Sequence, residues 1–178
     1  MKMRTKQTIL TRLLPKTDQT SVYVAGDDAT YQVGWWKGLT VAANKTRFIA
    51  KTLDGDDVVL DLATGLMWAA DGNEAGANNS SIATWPNALA YAGLLDFAGF
   101  TDWRVPNIKE LVSIVNYENV SPAVDVGYFI HIASADYWSS TTVKAVATNA
   151  LTIQFAIGLM YNQLKTGLYR LLCVRGGV

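Results

Sequence analysis

The side chains able to do chemistry are few and far apart in this chain. Cys173 is the one cysteine and lies in an apolar run, Leu171-Leu172-Cys173-Val174, a setting for a buried, inert thiol rather than a nucleophile. Without a second cysteine there is no intrachain disulfide, no thiol pair and no Cys/His cluster of zinc spacing. His131, the one histidine, falls in an expected loop with no serine or cysteine nucleophile beside it, so a catalytic triad would need distant partners such as Asp125 or Asp136. An enzyme built on those residues ranks last among the functional readings. Asp54, Asp56 and Asp57 flank Gly55, and alternate carboxylates suit a hard cation, but the rest of an EF-hand loop is missing and Asp54-Gly55 is a strong hairpin turn. No Gly-Lys-Ser phosphate loop and no Gly-x-Gly-x-x-Gly turn occurs. No metal, nucleotide or other cofactor is expected.

What remains is a set of phrases joining an indole or a guanidinium to a Gly or Pro that restricts or frees the backbone. They are Thr64-Gly65-Leu66-Met67-Trp68, Asp102-Trp103-Arg104-Val105-Pro106, Tyr137-Trp138-Ser139-Ser140-Thr141 and Leu172-Cys173-Val174-Arg175-Gly176-Gly177. Trp68, Trp103 and Trp138 are expected in the core, each with a partner for its N–H, and Arg104 and Arg175 are expected to satisfy carbonyls or carboxylates beside them.

A chain of 178 residues with 50% hydrophobic content suffices for one domain with a substantial core. Lys plus Arg equals Asp plus Glu at 15 each, so no net field steers the protein to nucleic acid. Lys2, Arg4, Lys6, Arg12 and Lys16 precede the first acid, Asp18, and read as a solvated or partner-docked arm. No run approaches the ~18 apolar residues of a membrane span, and Ile9 to Leu14 is too short for a signal-peptide core. A route to an exterior would therefore run on a particle or by another path.

Residues 1–45, with Trp35-Trp36, read as an N-terminal arm and irregular turns packed on the body, and residues 46–178 as the domain proper. Thr46 to Thr52 and Asp57 to Leu62 are β-prone runs on either side of the Asp54-Gly55 turn, and Gly65 to Ala69 forms a third strand. Trp85, Ala88, Leu89 and Ala92 share a helical face, with Thr84 as N-cap and Pro86 in the first turn. A second helix starts after Pro106, where Asn107 and Glu110 make a capping box and Ile108, Leu111, Val112 and Val115 share a face. The alternation of Leu151, Ile153, Phe155 and Ile157 gives a half-buried strand ending at Gly158, and Leu159 to Leu164 and Leu168 to Arg175 give two more, joined by a turn at Lys165-Thr166-Gly167. The sum is an α+β domain with two helices and an antiparallel sheet.

In order along the chain, these phrases resemble the Lcl C-terminal domain family, named for the end domain of a bacterial collagen-like adhesin. The matching residues are Gly65 to Trp68, the helix from Trp85, Trp103 to Pro106 leading into Lys109-Glu110-Leu111, Trp138 to Ser140, and Cys173 to Gly176, so the resemblance covers residues 46 to 177. It implies a C-type-lectin-like fold of the formylglycine-generating-enzyme subgroup, with a twisted sheet and two helices holding a variable face. The family's first-helix cysteine is replaced here by Ala92, and its arginine before the terminal cysteine by Leu172. Enzymes of this fold use a cysteine pair, which this chain lacks, and no Glu-Pro-Asn or Gln-Pro-Asp sugar motif is present.

The same fold carries the variable proteins of diversity-generating retroelements, whose last strands are mutated at adenine-containing codons. That resemblance gives meaning to apolar residues where a soluble loop should be polar: Val143, Ala145, Val146 and Ala147, then Leu159, Met160 and Tyr161. Leu159 and Met160 equally suit the core of an ordinary strand. The expected function is a non-enzymatic ligand-binding module with a variable C-terminal binding face, diversified by a retroelement and displayed on a virion or cell. Its expected contact residues are Val143, Ala145, Ala147, Asn149, Leu159, Tyr161, Asn162 and Gln163, and its ligand a protein or glycan on another cell or particle. The alternative is a fixed-specificity polysaccharide-binding adhesin, for which Lys144 and Lys165 are the basic residues between Trp138 and Gly167.

Overall fold

A computed structural model describes residue 15 and residues 17–31 and 47–176. The basic residues Lys2, Arg4, Lys6, Arg12 and Lys16 and the Trp35-Trp36 pair lie outside the described residues. A single helical turn, α1 (Asp28–Tyr31), precedes strands β1 (Phe48–Leu53), β2 (Asp56–Asp61) and β3 (Leu66–Ala69), then helices α2 (Trp85–Gly93) and α3 (Ile108–Ser113). Strands β4 (Asp136–Thr142), β5 (Asn149–Gln154), β6 (Leu159–Leu164) and β7 (Val174–Arg175) follow. They make two antiparallel sheets, ordered β1-β2-β3-β7 and β4-β5-β6, the α+β, C-type-lectin-like architecture expected. Among the described residues no helix is long and apolar enough to cross a membrane.

The first hairpin forms as its turn dictates. Asp54 and Gly55 both have positive φ, as a two-residue primed turn requires, and Leu53 pairs with Asp56. The Asp residues around the turn serve the fold: Asp56 accepts a hydrogen bond from the Ala98 amide at 2.6 Å, Asp57 from Thr52 Oγ1 at 2.7 Å, and the Asp57 amide donates to Glu74 at 3.0 Å. Helix α3 carries the capping box in full, with the Asn107 side chain accepting from the Lys109 and Glu110 amides and Glu110 accepting from the Asn107 amide. At α2 the expectation is corrected. Thr84 has the extended backbone of an N-cap but no side-chain capping bond. The Trp85 amide instead donates to Lys165 O at 3.0 Å, so a distant loop satisfies that end of the helix.

Two strand expectations are also corrected. β5 ends at Gln154, because the amides of Ile157 and Gly158 turn back onto the Gln154 carbonyl. Phe155 is therefore buried and Ile157 exposed, which a continuous alternation does not allow. Both faces of β5 are covered, since Ala150 and Thr152 are as buried as Ile153. Nor does Leu168 to Arg175 form one strand beside β6. Tyr169 and Arg170 make single bridges to Ala83 and Tyr137, and Val174–Arg175 crosses to β3 in the other sheet.

Leu171, Leu172, Cys173 and Val174 are wholly buried between the sheets. Around them the core gathers edge-to-face pairs of Trp68 with Phe129, Tyr137 with Phe155 and Trp138 with Tyr169. Trp103 Nε1 donates to Phe97 O and Trp138 Nε1 to Ala83 O, each at 2.8 Å. Trp68 is the exception to the expected indole partners: its Nε1 is buried without a hydrogen bond. Arg104 grips Glu110 through two bonds of 2.7 Å and reaches Gly176 O, while Arg175 binds Asp102 and lies 3.7 Å over the Phe100 ring.

One ion pair had no signal in the sequence. Arg47 meets Asp61 through Nε–Oδ1 and Nη2–Oδ2 contacts of 3.0 and 2.9 Å, and its Nη2 also donates to Ser113 O at 2.6 Å. Asp61 accepts from the Ala63 amide and Thr64 Oγ1 as well, so this carboxylate shapes the turn that leads to Gly65. The N-terminal residues make a second contact. The Thr20 and Ser21 amides and the Ser21 hydroxyl donate to Glu118, and these bonds hold the Glu118 carboxyl down at about 2.

Breaking the buried pair with Asp61→Ala leaves Arg47 with only its longer 3.9 Å contact to Asp18 and its bond to Ser113 O, and is expected to cost about 3 kcal/mol in urea unfolding. Asp61→Leu with Arg47→Met recovers only part of this, because the turn bonds to Ala63 and Thr64 stay lost. For Glu118 the folded-state value is depressed below the ordinary 4.5, so its contribution is present above pH 4.5 and is lost as pH falls towards about 2. NMR titration should place the Glu118 midpoint near 2 in the wild type and move it upward in Ser21→Ala.

Candidate functional site

Strand β6 reads Leu-Met-Tyr-Asn-Gln-Leu, without a charge, and among the described residues it pairs with β5 alone, leaving its outer edge open. Edge strands normally carry charge, proline or a bulge against unwanted pairing. Here Leu159, Met160, Tyr161 and Leu164 are 48, 55, 40 and 58% exposed. β4 and β5 are sandwiched, whereas β6 overhangs, and its side chains emerge on both faces.

Register assigns those faces, because cross-strand partners share a side. On one lie Trp138, Thr152 and Tyr161 in a row, flanked by Gln154 with Leu159 and by Ala150 with Gln163. This indole face is backed by Tyr169, edge-on to Trp138 with ring centres 4.9 Å apart, and by Trp85, whose ring carries Lys165 Nζ at 4.1 Å. On the other lie Ile153 with Met160, Leu151 with Asn162 and Asn149 with Leu164. This helix face meets α3, and an apolar groove of 650 Å³ runs there between Ile108, Val112 and Val115 on one side and Leu151 and Met160 on the other.

The expected contact residues therefore divide. Leu159, Tyr161 and Gln163 belong to the indole face, and Asn149 and Asn162 to the helix face, where Asn149 Nδ2 donates to Asn162 Oδ1 at 3.0 Å. Val143, Ala145 and Ala147 lie in the β4–β5 loop, with Ala145, Val146 and Ala147 exposed and Val143 half-buried. Leu159 stands five residues along β6 from Leu164, about 17 Å at ~3.4 Å per residue. Together the loop and strand form a strip rather than a cleft.

The strip is rigidly mounted. A register shift between Trp138 and Thr142 bends β4. Across that bulge Ser139 Oγ donates to Leu151 O at 2.7 Å, the Ser140 amide to Pro106 O at 2.8 Å, and Trp85 Nε1 to Ser139 O at 2.8 Å. The loop beyond is closed by backbone bonds Val143 N to Asn149 O, Val146 N to Val143 O and Lys165 N to Thr148 O. Gly158 has φ +74°, and a Cβ there would lie 2.7 Å from Val115 Cγ1, so the β5–β6 turn admits no side chain without moving Val115, just beyond α3.

Hydrogen bonding separates fixed polar groups from adaptable ones. Gln163 is fixed, its amide donating to Asp136 Oδ2 at 3.1 Å and its carbonyl accepting from Tyr169 OH at 2.9 Å. Burial raises the Asp136 carboxyl above its ordinary value, with the Gln163 bond pulling the other way, and Asp136 Oδ1 is buried with no partner. Sequence reading missed the Asp136–Gln163–Tyr169 chain because its members are distant in sequence. Lys165, donating to Thr142 Oγ1 at 2.8 Å and covering Trp85, is occupied by the scaffold, which leaves Lys144 as the exposed cation of this segment.

His131 does not face Asp125 or Asp136. Its Nδ1 lies 2.9 and 3.0 Å from the two oxygens of Asp71, and the loop and turn they join are laced by Gly72 N to Ile130 O and Ile130 N to Ala70 O. Asp125 caps its own turn through the Gly127 amide. Cys173 is buried and its thiol is pushed up to about 12 by that burial, far from a reactive thiolate. Among the described residues no group of three or more His, Cys, Asp and Glu side chains is arranged to hold a metal ion.

A comparison with curated proteins finds no match. The profile of the Lcl C-terminal domain family matches residues 57–175, a span that opens in β2 and closes on Arg175, enclosing β3, both main helices and the whole β4-β5-β6 sheet. Its reach over the indole and guanidinium phrases, and over the two sheets they lock together, shows that the chain belongs to the Lcl C-terminal domain family.

Proposed function

We propose that the protein is a non-enzymatic binding module whose contact surface is the overhanging strand β6 with the β4–β5 loop. The observation that carries the reading is the uncharged, apolar and exposed edge strand on a tightly bonded base. Exposed contiguous apolar surface on a soluble fold marks a contact site. The form resembles antibody loops in its physics: Tyr161 and Leu159 offer contact area at low conformational cost, and Asn149 and Asn162 offer hydrogen bonds. The ligand is a protein or glycan on another cell or particle, and the module is displayed on a virion or cell surface.

Diversification by a retroelement is part of the proposal. The contact side chains at 143, 145, 147, 149, 159, 161 and 162 share no hydrogen bond with the core phrases, so replacing them leaves the scaffold's bonds intact. Gln163 is the exception, being tied to Asp136 and Tyr169. The polysaccharide-adhesin alternative needs a basic patch, and the engagement of Lys165 on Trp85 weighs against it.

Sequencing the codons for residues 138–175 across the source population should find substitutions concentrated at 143, 145, 147, 149, 159, 161 and 162, with Trp138, Gly158 and Arg175 unchanged. Uniformly low variation would refute diversification and move the reading to a fixed-specificity adhesin. In binding to a panel of cells and immobilised glycans, Leu159→Asp with Tyr161→Ala is expected to weaken any detected interaction by about tenfold or more, roughly 1.4 kcal/mol, with the melting temperature nearly unchanged.

A further inference from the structure

The open edge of β6 is defined by register down to single backbone groups. In an antiparallel ladder the N–H and C=O of successive residues point alternately to the strands on either side. The Lys165 amide donates to Thr148 O at 2.9 Å, and on the other side of β5 the Val143 amide donates to Asn149 O at 3.0 Å. With the β5–β6 register, both bonds set the same alternation. Leu159, Tyr161 and Gln163 turn their backbone groups to β5, and Met160, Asn162 and Leu164 turn theirs outward.

Two groups at the ends of this edge are already engaged. The Leu164 carbonyl accepts from the Gly167 amide, and the Gly158 amide donates to Gln154 O, each at 2.8 Å. Among the described residues the others have no partner: the Gly158 carbonyl, both groups of Met160, both of Asn162, and the Leu164 amide. That set is its own complement. When the strand is laid antiparallel on a second copy, about a two-fold axis at Tyr161, Met160 meets Asn162 and Leu164 meets Gly158. Met160 and Asn162 then exchange two bonds at each of their two meetings, and each Leu164 amide meets a Gly158 carbonyl. The bond left out, from the Gly158 amide to the Leu164 carbonyl, joins the two engaged groups. An axis at Asn162 spoils the match, because it asks the Met160 amide to bond the carbonyl that Gly167 holds.

The side chains admit the same approach. Charge is a usual guard against pairing of like edges; the free edge of the other sheet, β1, carries Lys51, whereas β6 carries none. Met160, Tyr161 and Asn162 are all exposed. We infer that the protein pairs with a second copy of itself, β6 on β6, into a six-stranded sheet closed by a two-fold axis. Main-chain bonds carry the contact, so it tolerates changes of side chain at 161 and 162 that keep the backbone N–H and add no charge. The two indole faces become one surface with a Tyr161 from each copy at its centre. The inference stands apart from the proposed ligand contact, which uses the faces of β6 and not its edge.

Sedimentation of the full chain at rising concentration should approach twice the 19.4 kDa of one copy. Asn162→Pro removes an outward N–H that no bond to β5 uses, so the fold is kept while the dimer dissociation constant rises at least tenfold. Chains with Met160→Lys and Asn162→Lys, or with Met160→Glu and Asn162→Glu, should each be monomeric alone and pair one-to-one when mixed, a recovery that misfolded variants would not give. Tyr161→Cys, with Cα atoms about 4.5 Å apart across the axis, should form a 161–161 disulfide between chains on mild oxidation, native Cys173 being buried. A wild type that stays monomeric at every concentration would overturn the inference and leave the edge to a strand from another protein. A dimer that survives Asn162→Pro and both charged pairs, or growth beyond two copies, would overturn it as well.

Discussion

The structure depends on the burial of one short segment, Leu171 to Val174, between two sheets that otherwise share little. Arg170 meets β4, where the Trp138 amide donates to the Arg170 carbonyl at 2.8 Å. Four residues later Val174 pairs with Trp68 in β3 and exchanges two backbone bonds with Arg104 at 3.0 and 2.9 Å. Between these points Cys173 donates to Gly76 O and accepts from the Ala69 amide. A segment wholly removed from water must pair its backbone groups, and here the partners come from β3, the 76 loop and the Arg104 turn. That requirement ties the family's phrases to one another. Arg175 on Asp102 and Arg104 on Glu110 and Gly176 lock the same junction from outside.

The consequence for function is mechanical. With the terminal segment binding β4 to the rest, the β4-β5-β6 sheet is covered where Trp138 and Tyr169 stack and where α3 lies, and uncovered where β6 extends past them. The bulge in β4 would weaken that mounting if its freed groups were unsatisfied, but the Ser139 hydroxyl donates to the Leu151 carbonyl and the Ser140 amide to the Pro106 carbonyl. The Trp-Ser-Ser phrase is thus a repair of irregular backbone, and serine's short hydroxyl suits it where a longer side chain would not reach the carbonyl at 2.7 Å.

Local interactions were readable in the sequence and distant ones were not. The Asp54-Gly55 hairpin, the Asn107–Glu110 capping box and the span of β6 all follow from residues within a few positions of each other, and all are present. The early end of β5 was hidden because Phe155 and Ile157 continue its alternation, although Gly158, pressed on Val115, forces the turn. The Arg47–Asp61 pair, the His131–Asp71 contact and the Gln163 chain join residues 14, 60 and 27 positions apart, and no periodicity encodes such meetings. For the strip itself, sequence identified the strand and loop but not their sidedness. The pleat alone turns Tyr161 and Asn162 apart, and only the register with β5 shows that Tyr161 joins the indole face and Asn162 the helix face.

Sidedness also decides which positions a changing surface can use. A side chain can be replaced freely when it shares no partner with the core, since effects of separated sites add with little coupling. Leu159 and Tyr161 meet that condition through exposure, and the 145–147 loop through backbone bonds that do not depend on its side chains. Gln163 does not, because removing its amide would leave the half-buried Asp136 without the hydrogen bond that offsets its desolvation. Neither does Gly158, where any Cβ meets the Val115 side chain. Replaceable and fixed positions therefore alternate within a few residues of one another, and the division follows from where each atom's partners lie rather than from its distance along the strand.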